Sequence, residues 1–275
     1  MNDFEEITTK NPFVDLHCHL QFDDFNDIRD LVINEMKNNN VVGINVGVDE
    51  KSSRAGIELS KKYPGLFWST IGLHPLYPND SYDTEDLLKD DNLNSNICGI
   101  GECGLDYFRI TGENVNEFDL DKIKDFQKDI FIDQIQMSIK YDRPLMLHVR
   151  DSYRETLEIL KENFKGVVKE YKGNVHFFAG TIDEAKEFLD LGFSISFTGV
   201  VTFVESYRDL VRYVPIERMF AETDSPYVAP KPFRGQKNNP NNVREIYKKI
   251  AEIKEIDINE VIDIFYNNAK KHWIK

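Results

Sequence analysis

The chain has 275 residues, of which 41% are apolar and 30% are charged, a globular composition that excludes disorder as the main state. Its 48 acidic and 34 basic residues give a net charge of −14, which excludes a protein that coats nucleic acid through its whole surface. The chain has no long apolar run, no signal-peptide pattern at residues 1–10 and no CxxC pair among its three cysteines. We therefore expect a soluble protein of the cytoplasm, or of the nucleus if its source is eukaryotic.

Short apolar runs recur along the chain at intervals of roughly 25 to 45 residues, and a mixed or amphipathic stretch follows each of them. Nearly continuous hydrophobicity is typical of strands that helices cover on both faces, so these runs predict parallel strands. In chain order they span residues 13–16, 41–46, 66–71, 97–100, 145–147, 174–178, 193–197 and 219–221.

The clearest predicted helix spans residues 119–141, where apolar residues including Ile123, Phe126 and Ile130 recur at steps of three and four. Two further helices are predicted at 242–255 and 259–271. Eight strands that alternate with helices predict an α/β fold of the TIM type, a (β/α)8 barrel formed by residues 1–275 as one domain. Its active site would lie at the carboxyl ends of the strands; a doubly wound open sheet is the structural alternative.

Titratable side chains concentrate at these strand ends. Glu102 ends the fourth run, Asp224 follows the eighth, and five of the six histidines lie in, at or just beyond the end of a run: His17, His19, His74, His148 and His176. His17 and His19 are two residues apart, so both rings project to the same side of a strand. Four imidazoles and two carboxylates are too many for one tetrahedral ion, so the pattern predicts two divalent cations that share a bridging Glu102.

The motifs that contain these residues resemble those of the TatD family of metal-dependent deoxyribonucleases, from one end of the chain to the other. They read VDLHCHL (14–20), IGLHP (71–75), GIGECGLDY (99–107), PLMLHVRDS (144–152), HFFAG (176–180), AETDSPY (221–227) and NNA (267–269).

The resemblance implies one cation bound by His17, His19 and Asp224 and a second bound by His148 and His176, with Glu102 between them. It also implies that His74 and Glu222 line the substrate site and that the activity is a 3′ to 5′ exonuclease supported by Mg2+. Ligation rich in histidine suits Zn2+ or Mn2+ as well. Lys237 stands where the family usually has an arginine, and a lysine contacts phosphate without a bidentate fork.

Such a site predicts hydrolysis of a phosphodiester by water that the cations activate, with Asp224 as the proton acceptor and Glu102 as the bridging catalytic ligand. We expect Arg150, Arg234 and Lys237, on loops of the same barrel end, to contact phosphates. The rings of Tyr107, Phe108, Tyr227 and Phe233 are candidates for stacking on unpaired bases. The expected partner is DNA, as single strands or frayed ends; neither a membrane nor an obligate protein partner is expected.

Two other hypotheses about the function are compatible with the sequence. An amidohydrolase-type enzyme that opens a small amide, lactone or ester, or an ester on aminoacyl-tRNA, would use similar metals, although its frequent carboxylated lysine is replaced here by Glu102. A barrel that keeps metals for stability and only binds a partner would be signalled by the loss of a ligand. All six expected ligands are present.

Overall fold

The computed structural model of the protein describes residues 9–77, 84–110 and 117–274, so the acidic residues 1–8 lie outside the described residues. The described residues form eight strands in one sheet, and each strand pairs in parallel with the next along the chain. They are β1 (Phe13–Cys18), β2 (Val41–Val46), β3 (Phe67–Ile71), β4 (Ile97–Asp106), β5 (Leu145–Arg150), β6 (Gly173–Val175), β7 (Phe193–Phe197) and β8 (Met219–Ala221).

The first strand meets the chain that follows the last one. Cys18 and Ser225 form a parallel bridge, and the His19 N–H donates to the Ser225 carbonyl at 2.9 Å. The Asp224 N–H donates to the His17 carbonyl at 2.9 Å. These contacts bend the sheet into a nearly closed barrel, which confirms the predicted TIM-type fold and excludes the open doubly wound sheet.

Ten α-helices accompany the strands in the described part of the chain. They are α1 (Arg29–Asn38), α2 (Glu50–Lys62), α3 (Thr84–Lys89), α4 (Asp91–Asn94), α5 (Glu117–Lys140), α6 (Tyr153–Asn163), α7 (Ile182–Leu191), α8 (Tyr207–Tyr213), α9 (Val243–Lys254) and α10 (Ile258–His272). The three helices predicted from periodicity correspond to α5, α9 and α10. None of the helices described is both long and apolar enough to cross a membrane.

Helix α5 buries only part of its predicted apolar stripe. Phe131 and Ile135 are fully buried against the barrel, whereas Phe126 is 40% exposed. Five residues separate Phe126 from Phe131, which places the two side chains about 140° apart around the helix axis. The step of three and four therefore predicted the helix correctly but assigned Phe126 to the wrong face.

Four strands end at other residues than predicted at the carboxyl end of the barrel. β1 reaches Cys18 and β5 reaches Arg150, whereas the apolar runs end at residues 16 and 147. The fourth strand was expected to end at Glu102, but β4 continues to Asp106 because pairing with β5 resumes after a register shift. The sixth was expected to reach residue 178, but β6 ends at Val175, and Phe177 has a φ of 44°, left-handed backbone that leaves the strand. Glu102 therefore lies within a strand and His176 just beyond one.

Candidate metal centre

The Glu102 carboxylate lies at the centre of the histidine cluster, and its two oxygens face different groups of imidazoles. Oε1 lies 2.8 Å from His148 Nδ1, 2.9 Å from His176 Nε2 and 3.5 Å from His74 Nε2. These nitrogens belong to β5, to the end of β6 and to the loop after β3. The barrel therefore brings together three histidines that are far apart in the sequence.

The second oxygen of Glu102 faces His17 of β1 and His19, which follows that strand. Oε2 lies 3.5 Å from His17 Nε2 and 3.7 Å from His19 Nε2, and these two nitrogens are 3.1 Å apart. Asp224 Oδ1 lies 3.7 Å and 3.5 Å from the same nitrogens. Four donors placed at about 2.0 to 2.2 Å around a tetrahedral cation are about 3.3 to 3.6 Å from one another. The ligand atoms of His17, His19 and Glu102 also lie within 4.8 Å of one another, so these three residues form a group that could hold one divalent cation, with Asp224 beside the two histidines.

The half of the cluster around His148 is held together by direct hydrogen bonds. His148 Nδ1 donates to Glu102, and His148 Nε2 donates to Asp106 Oδ2 at 2.9 Å. Burial would lower the pKa of His148, but these two bonds raise it above its usual value. Burial would also lower the pKa of His176, but its interactions with Glu102 and Glu222 together raise it well above its usual value. A cation bound by these rings would replace protons, as imidazole ligands require.

The carboxylates of the cluster stay ionised. Burial alone would raise the pKa of Glu102, but the imidazoles, His176 foremost, hold it well below its usual value. Burial would likewise raise the pKa of Asp224, but its interactions with His19, His17 and His176 together lower it. Burial lowers the pKa of His74 to about 3, which leaves that ring neutral and able to bind a cation. Anionic oxygens and neutral rings are the donor forms that divalent metals need.

Asp106 belongs to the site although sequence reasoning did not single it out. It is fully buried at the end of β4 and fixes His148 through the bond to Nε2. Four residues separate it from Glu102, and residues an even number apart on a strand share a face. Had β4 been predicted to its full length, this spacing would have identified Asp106. Carboxylates in this position orient metal-binding histidines.

Glu222 was expected to line the substrate site, but the structure places it fully buried beneath His176. Its Oε1 accepts the Phe177 N–H at 2.6 Å, and its Oε2 accepts the Ser196 hydroxyl at 2.6 Å. His176 Nδ1 lies 3.3 Å from Oε1, close enough for attraction although the angle does not make a hydrogen bond. Glu222 therefore supports a histidine of the centre from below.

A cavity of about 730 Å3 opens above the cluster. Of the three side chains expected to contact phosphates, Arg150 lines this cavity, together with Arg109. Arg234 and Lys237 are absent from its lining. The Arg234 guanidinium lies 4.0 Å from the centroid of the Phe203 ring, and Lys237 Nζ donates to the Asp24 carbonyl at 2.6 Å.

Known proteins share both the sequence and the fold. The model of the TatD related DNase family matches residues 14–273. An uncharacterized metal-dependent hydrolase of Escherichia coli K12, YcfH, is 38% identical over 201 residues, which cover 72% of this chain and 71% of that protein. A putative deoxyribonuclease TATDN1 homolog of Vairimorpha ceranae is 34% identical over 268 residues, covering 93% and 92%.

The crystal structure of YJJV, a TatD homolog from Escherichia coli, superposes with a TM-score of 0.83 at 24% identity and covers 95% of this chain and 97% of its own. That likeness establishes a shared fold. The family model matches nearly the whole chain, and together with the similar sequences it establishes common descent with that family. The chain belongs to the TatD family of metal-dependent hydrolases.

Proposed function

We propose that the protein hydrolyses phosphodiester bonds of DNA as a 3′ to 5′ exonuclease with two divalent cations. The observation that carries the proposal is the placement of Glu102, whose two oxygens each face a different set of imidazoles. This is the arrangement that a ligand shared by two cations needs. The family description and the name of the Vairimorpha relative support DNA as the substrate.

The residues around the cluster have the chemistry for this reaction. When bound, a pair of divalent cations polarises a phosphoryl group and makes water nucleophilic near neutral pH. The Asp224 carboxylate is ionised, lines the cavity and can accept the proton that the water loses. The Arg150 guanidinium, which lines the same cavity, can offset charge on the phosphate.

The donor set also bears on which metal is used. The distances from the ring nitrogens of His17 and His19 to each other, to Glu102 and to Asp224 are 3.1 to 3.7 Å. Neighbouring ligands of an octahedral Mg2+ are only about 3 Å apart. We therefore propose that Zn2+ or Mn2+ binds here more tightly than Mg2+, with Mg2+ supporting activity where it is abundant.

End-labelled single-stranded and duplex DNA, incubated with Mg2+, Mn2+, Zn2+ or EDTA, tests the activity. A Glu102→Gln variant removes the shared anion, and Glu158→Gln makes the same change at an exposed position of α6. We expect stepwise shortening from the 3′ end that needs metal, persists in Glu158→Gln and falls more than about 100-fold in Glu102→Gln, since even supporting residues of metal sites contribute about 10- to 100-fold.

Other outcomes point to other functions. Intact DNA under every metal would contradict the nuclease proposal and direct the search to small esters, lactones and aminoacyl-tRNA. Internal cuts would contradict the exonuclease mode alone. DNA binding without any hydrolysis would favour a metal-stabilised binding barrel.

A further inference from the structure

Three large aromatic rings surround the mouth of the cavity. Tyr77, Phe108 and Tyr227 all line it, and they are 46%, 52% and 53% exposed. Single exposed rings are common on protein surfaces, but rings grouped around one cavity indicate a binding surface. The other rings considered from the sequence are placed differently: Tyr107 donates its hydroxyl to Glu155 at 2.6 Å, and Phe233 does not line the cavity.

Two of these rings are attached by tight turns to residues of the metal centre. The Tyr77 N–H donates to the His74 carbonyl at 2.9 Å, and the Tyr227 N–H donates to the Asp224 carbonyl at 2.9 Å. Asp224 itself has a φ of 51°, a backbone conformation that non-glycine residues adopt rarely and that is common at functional sites. The backbone that bears each of these two rings is therefore anchored to a residue beside the proposed cations.

The third ring, Phe108, lies in a turn that the Asp106 side chain closes, and a guanidinium stacks on the ring. Phe108 lies two residues after Asp106, whose Oδ1 accepts the Arg109 N–H at 3.0 Å. The Arg150 guanidinium carbon lies 3.9 Å from the centroid of the Phe108 ring. A guanidinium stacked on a ring is partly desolvated and rigid, and it can still donate to phosphate from its edge.

Positive charge at the mouth is local. The chain has a net charge of −14, yet Arg109 and Arg150 both line this cavity among its aromatic rings. Rings interleaved with cations are the combination by which proteins bind single-stranded nucleic acid, the rings stacking on bases and the cations following the backbone.

We propose that Tyr77, Phe108 and Tyr227 form a stacking surface for the unpaired bases at a single-stranded 3′ end. This inference rests on the proposed function, because it places the bases of the strand whose phosphodiester the metal centre would cut. In a duplex, each base is stacked between its neighbours and paired, so its face is not available to a ring at a cavity mouth. The surface therefore selects single strands and frayed ends over intact duplex.

The test compares two end-labelled oligonucleotides that differ only in the bases of the last two 3′ nucleotides, which are present in one and absent in the other. Both are measured for kcat/KM with metal, and for binding by fluorescence anisotropy in EDTA. The variants are Phe108→Leu and Tyr227→Leu, which remove the ring and keep an apolar side chain, and Tyr227→Phe, which keeps the ring. Phe126→Leu removes an exposed ring of α5 that lies outside the cavity lining.

We expect the wild type to prefer the end with bases by roughly 5- to 150-fold for each base that stacks. The preference should fall towards one in Phe108→Leu and Tyr227→Leu and persist in Tyr227→Phe and Phe126→Leu. An equal rate for both oligonucleotides, or a preference unchanged in both leucine variants, would overturn the stacking surface and leave the nuclease proposal standing. If neither oligonucleotide is cut, the nuclease proposal fails, and equal affinities in EDTA would then overturn the stacking surface separately.

Discussion

Replacing Glu222 by glutamine separates two roles that this residue could have. Sequence resemblance placed it against the substrate, whereas the structure shows it accepting two hydrogen bonds of 2.6 Å beneath His176, from the Phe177 N–H and the Ser196 hydroxyl. Glutamine keeps the size of the side chain but turns one of the two acceptors into a donor. If Glu222 supports the metal centre, its loss should weaken metal binding and should not act on DNA contacts directly.

The magnitude follows from these contacts. A hydrogen bond to a charged acceptor contributes about 1.5 to 3 kcal/mol, and the Ser196 hydroxyl can rotate to accept from the new amide. We therefore expect Glu222→Gln to lower the free energy of unfolding of the metal-free protein by about 1 to 2 kcal/mol. Groups that orient metal-binding histidines contribute about 10- to 100-fold to metal affinity, so the Kd of the cation that His176 binds should rise by that factor.

Calorimetric titration with Zn2+ and Mn2+ measures the metal affinity, and urea unfolding followed by tryptophan fluorescence measures stability. Glu158→Gln, an exposed residue of α6, controls for the loss of one negative charge. An unchanged metal affinity together with a higher KM for DNA would refute the supporting role and return Glu222 to the substrate site.

Three further predictions concern the same end of the barrel. Asp106→Asn should lower metal affinity about 10-fold, because it weakens the hydrogen bond that orients His148 through Nε2. An unchanged Kd in a metal titration of the variant would contradict this. Because the pKa of both His148 and His176 is raised, their rings carry protons that a cation must displace. Metal affinity should therefore fall as pH is lowered from about 8 to 6, and binding should release protons. Calorimetry in buffers of different ionisation enthalpy measures that release. A flat profile would mean that these rings are already neutral. Gly104→Ala should lower the free energy of unfolding in urea by at least about 3 kcal/mol, since the φ of Gly104 is +139° and a Cβ there would lie 2.0 Å from the His148 carbonyl oxygen. Gly166→Ala, with open space around it, should lower it by only about 1 kcal/mol. Equal losses in the two variants would show that the backbone around Gly104 can shift to accommodate the Cβ.

The strands were predictable where hydrophobicity and pairing end together. The boundaries of β2, β7 and β8 agree with the apolar runs at 41–46, 193–197 and 219–221, since these strands are buried on both faces. The end of β4 was not predictable in this way. Its sequence turns polar and rich in glycine at Gly101, while its backbone continues to pair with β5 as far as Asp106.

That the six side chains expected to bind metal would meet could be predicted from the sequence, because parallel strands in a barrel end at the same rim. The roles of the residues beside them could not be predicted in this way. Glu222 precedes Asp224 by two residues, but only the positions of Ser196 and Phe177 show that its carboxylate points into the protein. Arg234 and Lys237 lie on a loop after β8, and nothing in their sequence shows that they pack on Phe203 and Asp24.

The hydrogen bond between the Asp224 N–H and the His17 carbonyl gives the metal centre a part in the folding equilibrium. It joins residues that are far apart in the sequence. The donor set around it takes two side chains from near the start of the chain, Glu102 from the middle and Asp224 from towards the end, so no single segment of the chain can assemble that set alone. A cation that binds only the closed barrel stabilises it by about 2.7 kcal/mol when present at 100 times its Kd. Chelators should therefore speed degradation and lower the yield of refolding, effects that would otherwise be mistaken for a loss of catalysis.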